Sequence, residues 1–416
     1  MSPLVRRDFV VVTFTCAWLF TGCSSSPSDG RATGSGTVGT GGAPMTTREG
    51  TGGSSGGSGG VGETGGTGGA TTGTGGSNDG MGGSDASGGT TADGSIADGS
   101  VDLPSMTVPG EDTPPARPLN IAGARMRYSH TFRTKDADPA VSFNDNTEIA
   151  VVDTRSAKMV GKLVLPFDGV GTTAGGIGTA GAFCVPRGFH VLGIAAFQKY
   201  DILKNDAAFY GDARREVFDG IEHTHKYDFA NIHMVPSDGV AKRTEMALKY
   251  LHKLYPNEDW GYFLNTDGTV RWSDVIFTGF SHGASSAPRF SMIVRASRSV
   301  SFSGPRENTC NSFPSCVGSA GLISADWLAE IPATPTDRFY TLTGTADDQY
   351  PQHLYAMNKI GYTGMPVSMS VGPPYGGSHR IFVQGGGHAS PCNETTYKAV
   401  CNYMFGVAPE NLNGIP

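Results

Sequence analysis

Three residues far apart in the chain, Ser281, Asp347 and His388, have the types that nucleophilic catalysis requires. A serine hydroxyl attacks a carbonyl poorly unless a positioned base takes its proton and a third group orients that base. Ser281 lies in Gly279-Phe280-Ser281-His282-Gly283, after the apolar, β-rich run Val275-Ile276-Phe277 and before a helix-like stretch to Ile293. A serine on a sharp strand-to-helix turn needs small neighbours, and Gly279, Gly283, Ala284, Ser285 and Ser286 supply them. The spacing alone is weak, because Gly52 to Gly56 and Gly56 to Gly60 repeat it inside a low-complexity tract. Neither of those has a strand before it or a helix after it, so neither holds a serine rigidly.

The acid and the base each follow a strand-like run. Phe339-Tyr340-Thr341-Leu342 leads into Thr343-Gly344-Thr345-Ala346-Asp347-Asp348, so the carboxylate falls at a strand's carboxyl end. Asp347, directly after the Gly-Thr-Ala turn, is assigned as the acid, with Asp348 as the alternative. Arg380 to Val383 is the next strand, and Gly385-Gly386-Gly387 then carries His388 toward the same edge. His379 precedes that strand and belongs at the opposite end of the sheet.

The elements that would position these residues begin near Ile121. Met126 to Phe132, Glu148 to Val152, Lys162 to Pro166, His190 to Phe197, Val300 to Ser303, Phe339 to Leu342 and Arg380 to Val383 read as strands. Val240 to Leu254 has an apolar helical face, and a further helix lies near His353 to Ile360. Such alternation predicts an α/β domain with a doubly wound, mostly parallel sheet over residues 119–416. That leaves about 300 residues for one large core. Pro288, seven residues after the serine, is expected to kink its helix.

The first quarter of the 416-residue chain cannot build such a core. Glycine totals 61, concentrated between about residues 30 and 100, far above the usual ~7%. Residues 1–22 have the form of an export signal: Arg6 and Arg7, then an apolar stretch of about a dozen residues, too short to span a bilayer. The signal ends in Leu19-Phe20-Thr21-Gly22-Cys23, which resembles a bacterial lipobox with Cys23 as the acylated residue. Residues 23–118, rich in Gly, Ser and Thr, are expected to form a disordered tether with an r.m.s. span of ~50–60 Å. Net charge is −7 and no dense basic run occurs, which argues against nucleic acid as a partner.

Two other patterns are weaker. Gly176 to Gly181 matches a dinucleotide fingerprint with Asp201 downstream, but its strand ends too early and Pro186 interrupts the helix. Glu222, His223 and His225 fit no strong metal motif and read as a polar loop. Among the exported cysteines, Cys310 with Cys316 and Cys392 with Cys401 are the expected disulfides, leaving Cys184 over.

The Gly279 to Gly283 pattern, with its acid and histidine in that order, resembles the α/β-hydrolase superfamily across about residues 120–416. More narrowly, the chain is similar to a group of exported bacterial hydrolases. Leu165-Pro166, Gly188 to Gly193, Phe302-Ser303-Gly304-Pro305 and Tyr375 to Arg380 are the shared stretches. The resemblance implies a serine hydrolase of carboxylic esters needing no cofactor or metal. Its oxyanion hole would combine the N–H of His282 with one from the Phe167 to Gly171 loop, here taken as Gly169. The chain departs from the pattern at Phe167-Asp168, where hydrolases often carry His-Gly. The protein is expected to be a lipid-anchored monomer of the bacterial envelope. A non-catalytic surface module on the same scaffold is the alternative, and an NAD-dependent oxidoreductase the weaker one.

Overall fold

A computed structural model of the chain describes residues 117–197, 207–223, 234–309, 323–388 and 392–415. The signal, Cys23 and the tether up to residue 116 lie outside these residues, as do Asp201, His225, Cys310 and Cys316.

Among the described residues a nine-stranded sheet has the order β1-β2-β4-β3-β5-β6-β9-β11-β10. These strands are β1 Arg127–Arg133, β2 Thr147–Asp153, β3 Leu163–Phe167, β4 His190–Gly193, β5 Val275–Phe280, β6 Arg298–Phe302, β9 Phe339–Gly344, β10 Val367–Ser368 and β11 Arg380–Val383. From β4 to β10 every pairing is parallel, whereas β2 runs antiparallel to both β1 and β4. A separate two-stranded ribbon joins β7 Asn308–Thr309 to β8 Ile323–Ser324.

The central strands β3, β4 and β5 are buried on both sides because both faces are covered, as a parallel sheet requires. Val275 and Phe277 of β5 enter one core and Ile276, between them, enters the other. On the first face pack α3 Phe209–Asp219, α4 Val240–Leu254, α5 Gly283–Ile293 and α6 Tyr350–Ile360. On the second pack α2 Gly178–Cys184 and α7 Lys398–Phe405. A four-residue helix, α1 Thr134–Ala137, follows β1.

Three features differ from the reading of the sequence. The fourth strand stops at Gly193 rather than Phe197. Helix α2 lies within the glycine-rich stretch, opening ten residues or so beyond β3 and ending before Pro186, so no strand feeds it directly. Helix α3 forms between Phe197 and Val240, where the reading of the sequence placed neither strand nor helix. Helix α5 has Pro288 inside its span, Gly283–Ile293. The proline lacks the N–H that would bond the Ala284 carbonyl four residues back. In its place the Ser301 hydroxyl of β6 donates to the Ala284 carbonyl at 2.8 Å.

Candidate active site

Ser281 stands between β5 and α5 with φ of 55°, a left-handed conformation that strains any residue with a side chain. The turn is locked by two backbone bonds. Ser281 N–H donates to Phe302 O at 3.0 Å, and Ala284 N–H donates to Ser281 O at 3.0 Å. Both flanking glycines are dictated by close approach. A side-chain carbon on Gly279 would collide with the Gly283 carbonyl, and one on Gly283 with the Phe167 carbonyl. The elbow therefore presses against the end of β3, and the loop after β3 reaches the serine. A carbon built on Gly169 would lie 3.8 Å from Ser281 Cβ.

The loops after β9 and β11 are zipped together. Thr345 N–H donates to Val383 O at 3.0 Å, Ala346 N–H to Gly386 O at 2.8 Å, and Gly385 N–H to the Thr345 hydroxyl at 2.8 Å. Gly344 is required there, since a side chain would strike the carbonyls of Gly386 and Gly387. The result brings His388 Nδ1 within 2.7 Å of Asp347 Oδ2. The Asp347 side chain is fully buried, whereas 35% of the His388 side chain remains accessible. Asp348 is exposed, and the geometry selects Asp347 as the partner of the histidine. The His388 ring packs on Phe280, the residue before the serine, with centroids 5.0 Å apart.

Burial alone would raise the Asp347 pKa. The Gln349 N–H, 3.0 Å from Oδ1, and the bond from His388 outweigh it and hold the carboxyl below its usual range. The carboxylate is thus an acceptor, and His388 Nδ1 carries the donated proton. A second histidine near this acid, His353 of α6, is pushed down to about 3 by burial and hydrogen-bonds the Thr343 hydroxyl at 2.7 Å. His379 stacks on Tyr340 at the amino end of β11, away from the serine's edge.

Asp168, beside Gly169, is raised by burial. His282 is driven well below its ordinary value by burial first and by the Arg214 guanidinium second. Arg214 and Glu307, which the sequence reading did not single out, lie beside the elbow, where Arg214 bonds Ser286, named there only as a small neighbour. The one signal for Arg214 was the spacing of Phe209, Ala213 and Val217, which are buried four residues apart. For Glu307 there was none.

Cys392 and Cys401 form a disulfide that ties the segment following His388 to α7, while Cys184 is unpaired and buried. His223 bonds Asp219 at 2.7 Å.

No family model and no curated protein matches the chain. Among solved structures it is similar to the fluorophosphonate-binding serine hydrolase FphF of Staphylococcus aureus, at 12% identity and a TM-score of 0.37 over 67% of this chain and 98% of that one. A carboxyl esterase 2 from the fungus Tuber melanosporum gives 12% and 0.34 over 70% and 86%. A truncated carbohydrate esterase from gut microbiota gives 13% and 0.35 over 69% and 98%. Neighbours at these scores add nothing to what the strand order says by itself. A parallel sheet led by an antiparallel β2, a strained serine between β5 and α5, and an acid and a histidine on the loops after β9 and β11 give this chain the α/β-hydrolase fold.

Proposed function

We propose that the protein is an exported serine hydrolase that cleaves carboxylic esters through an acyl-enzyme. The observation that carries this reading is the strained Ser281 at the elbow, with the Asp347–His388 pair seated against its neighbour Phe280. Ser281 Oγ attacks the acyl carbon while His388 Nε2 takes its proton. The imidazolium then gives that proton to the departing alkoxide. Water, deprotonated by the same nitrogen, attacks the acyl-serine and releases the acid. Asp347 keeps Nδ1 protonated and offsets the charge on the imidazolium. The N–H groups of His282 and Gly169 are assigned to the oxyanion, one such donor being worth ~3 kcal/mol of barrier.

Full-length protein should hydrolyse p-nitrophenyl esters between acetate and palmitate. Ser281→Ala and His388→Ala should each lose ~10³-fold or more in kcat, and a fluorophosphonate should label Ser281. Turnover that survives in Ser281→Ala sinks the assignment. A wild type that neither turns over nor labels makes the chain a binding module on this scaffold.

The envelope location rests on Arg6, Arg7, the apolar run to Phe20, and Cys23. In a bacterial host the wild type should fractionate with membranes and Cys23→Ser should not. Equal partition of the two refutes the lipid anchor and leaves the catalytic reading untouched.

A further inference from the structure

Arg214 is a charged side chain in an unusual place. Its residue is 2% exposed, and its guanidinium reaches from α3 across to the turn that carries the serine. Nη1 donates to the Ser286 hydroxyl at 2.6 Å and to the His282 carbonyl at 3.2 Å, and it lies 3.3 Å from His282 Nε2. Nη2 reaches Glu307 Oε1 at 2.5 Å. Glu307 is also buried, at 6% exposure. Its chain neighbour Arg306 is held to the next serine of α5, with Arg306 N–H donating to Ser285 Oγ at 2.9 Å and Ser285 Oγ donating to Arg306 O at 2.8 Å. The first turn of α5 is thus gripped from α3 on one side and from the 306–307 segment on the other.

A buried ion pair is a poor way to fasten two helices. Desolvating both charges is expensive, and apolar side chains of similar volume hold as well or better. What the pair supplies instead is direction. A guanidinium has only donors, so His282 Nε2, 3.3 Å from Nη1, faces it with its lone pair and shares with the His282 carbonyl one of the two hydrogens on Nη1, which puts the ring's proton on Nδ1 and leaves the ring neutral. The same nitrogen of Arg214 holds the carbonyl of His282. One cation therefore fixes both the side chain and the backbone of the residue after the serine.

We propose that Arg214 is a positioning residue: with Glu307 holding it in place, it grips His282 so that the His282 N–H stays aimed at the oxyanion. This rests on Ser281 being the nucleophile. A displacement of about 1 Å at a catalytic group is enough to cost ~10²-fold in rate, so loss of the grip should act on kcat and leave ground-state binding alone.

The experiment uses full-length protein and the best p-nitrophenyl ester. Arg214→Met alone leaves Glu307 buried and unpaired, so the variant of choice is Arg214→Met with Glu307→Met. Thermal melting confirms that it is folded. The expected result is a kcat lower by about tenfold or more with KM within twofold, partly recovered in Arg214→Lys. A folded double variant with wild-type kcat overturns the proposal. Nitrogen-15 NMR of histidine-labelled wild type provides a readout that needs no turnover. His282 should be the neutral Nδ1–H tautomer, and it should lose that fixed state in the double variant. An Nε2–H or doubly protonated ring in the wild type overturns the proposal even if the double variant fails to fold. A wild type without turnover or labelling removes the hydrolase reading and with it the oxyanion role, whereas a wild type that turns over with the wrong tautomer removes Arg214 alone.

Discussion

At the scale of single residues, the acid is where sequence left a choice and geometry made it. Asp347 Oδ1 accepts from Gln349 N–H and Oδ2 accepts from His388 Nδ1, so both oxygens are committed to donors. Asparagine has the same shape but only one oxygen to offer. In Asp347→Asn the amide NH₂ must face either Gln349 or His388. If it faces His388, the ring is driven to the other tautomer, whose Nε2 carries a proton and cannot take the one from Ser281. The expected loss is ~10³–10⁴-fold in kcat with the fold retained. Asp348, exposed and outside this network, should tolerate the same change within about twofold. Ester hydrolysis by the two purified variants decides it, and equal losses would return Asp348 to contention.

At the scale of elements, the turn and its helix depend on a neighbouring strand. Pro288 leaves the Ala284 carbonyl without its helical donor, and the Ser301 hydroxyl takes that role. Ser301→Ala should destabilise by about 1–3 kcal/mol, the usual range for a buried group left unpaired. Pro288→Ala restores an N–H in register, so it should rescue much of that loss. Urea unfolding of the four proteins in a double-mutant cycle measures the coupling, and additivity within ~0.3 kcal/mol would dismiss the exchange of donors. The same elements show what was readable beforehand. The strands were legible as short unbroken apolar runs, as in Val275 to Phe277, and α4 by the helical repeat of its apolar residues over Val240 to Leu254. The order of serine, acid and histidine was legible because each follows a strand. Helix α3 was hidden because Arg214 and Glu216 are buried among its apolar residues and interrupt the apolar stripe that marks an amphipathic helix. Helix α2, made mainly of small residues, has no such face. The Arg214–Glu307 pair joins positions 93 apart in sequence, and nothing local announces it.

At the scale of the whole domain, buried ionisable groups set how its stability answers to pH. Glu148 of β2 is completely buried, with Ala195 N–H at 3.3 Å from Oε1. Burial pushes its carboxyl up to about 8, against a smaller pull from Arg243, whose guanidinium donates to the carbonyls of Phe143, Asn144 and Ala195. The folded chain keeps a proton that the unfolded chain releases near its ordinary value of 4.5. That contribution is complete below this value and is lost as pH rises toward about 8. His190 and His353 act the other way. Burial lowers them to about 4 and about 3, so their contribution grows as pH rises and is complete above their ordinary value of 6.5. The slopes oppose each other in the acid range; above about pH 6.5 the contribution of His190 and His353 is complete, whereas Glu148 still releases its proton up to about 8. Over that window the wild-type melting temperature should fall, with a stability slope of up to ~1.4 kcal/mol per pH unit from this one group. Glu148→Gln keeps an acceptor for the Ala195 N–H and has no proton to lose. Its melting temperature should be nearly flat from pH 6.5 to 8 and should exceed the wild type's at the upper end. Parallel curves for the two proteins would mean that Glu148 does not hold its proton in the folded state, and that the buried face joining β2, β4 and α4 contains an ion pair instead.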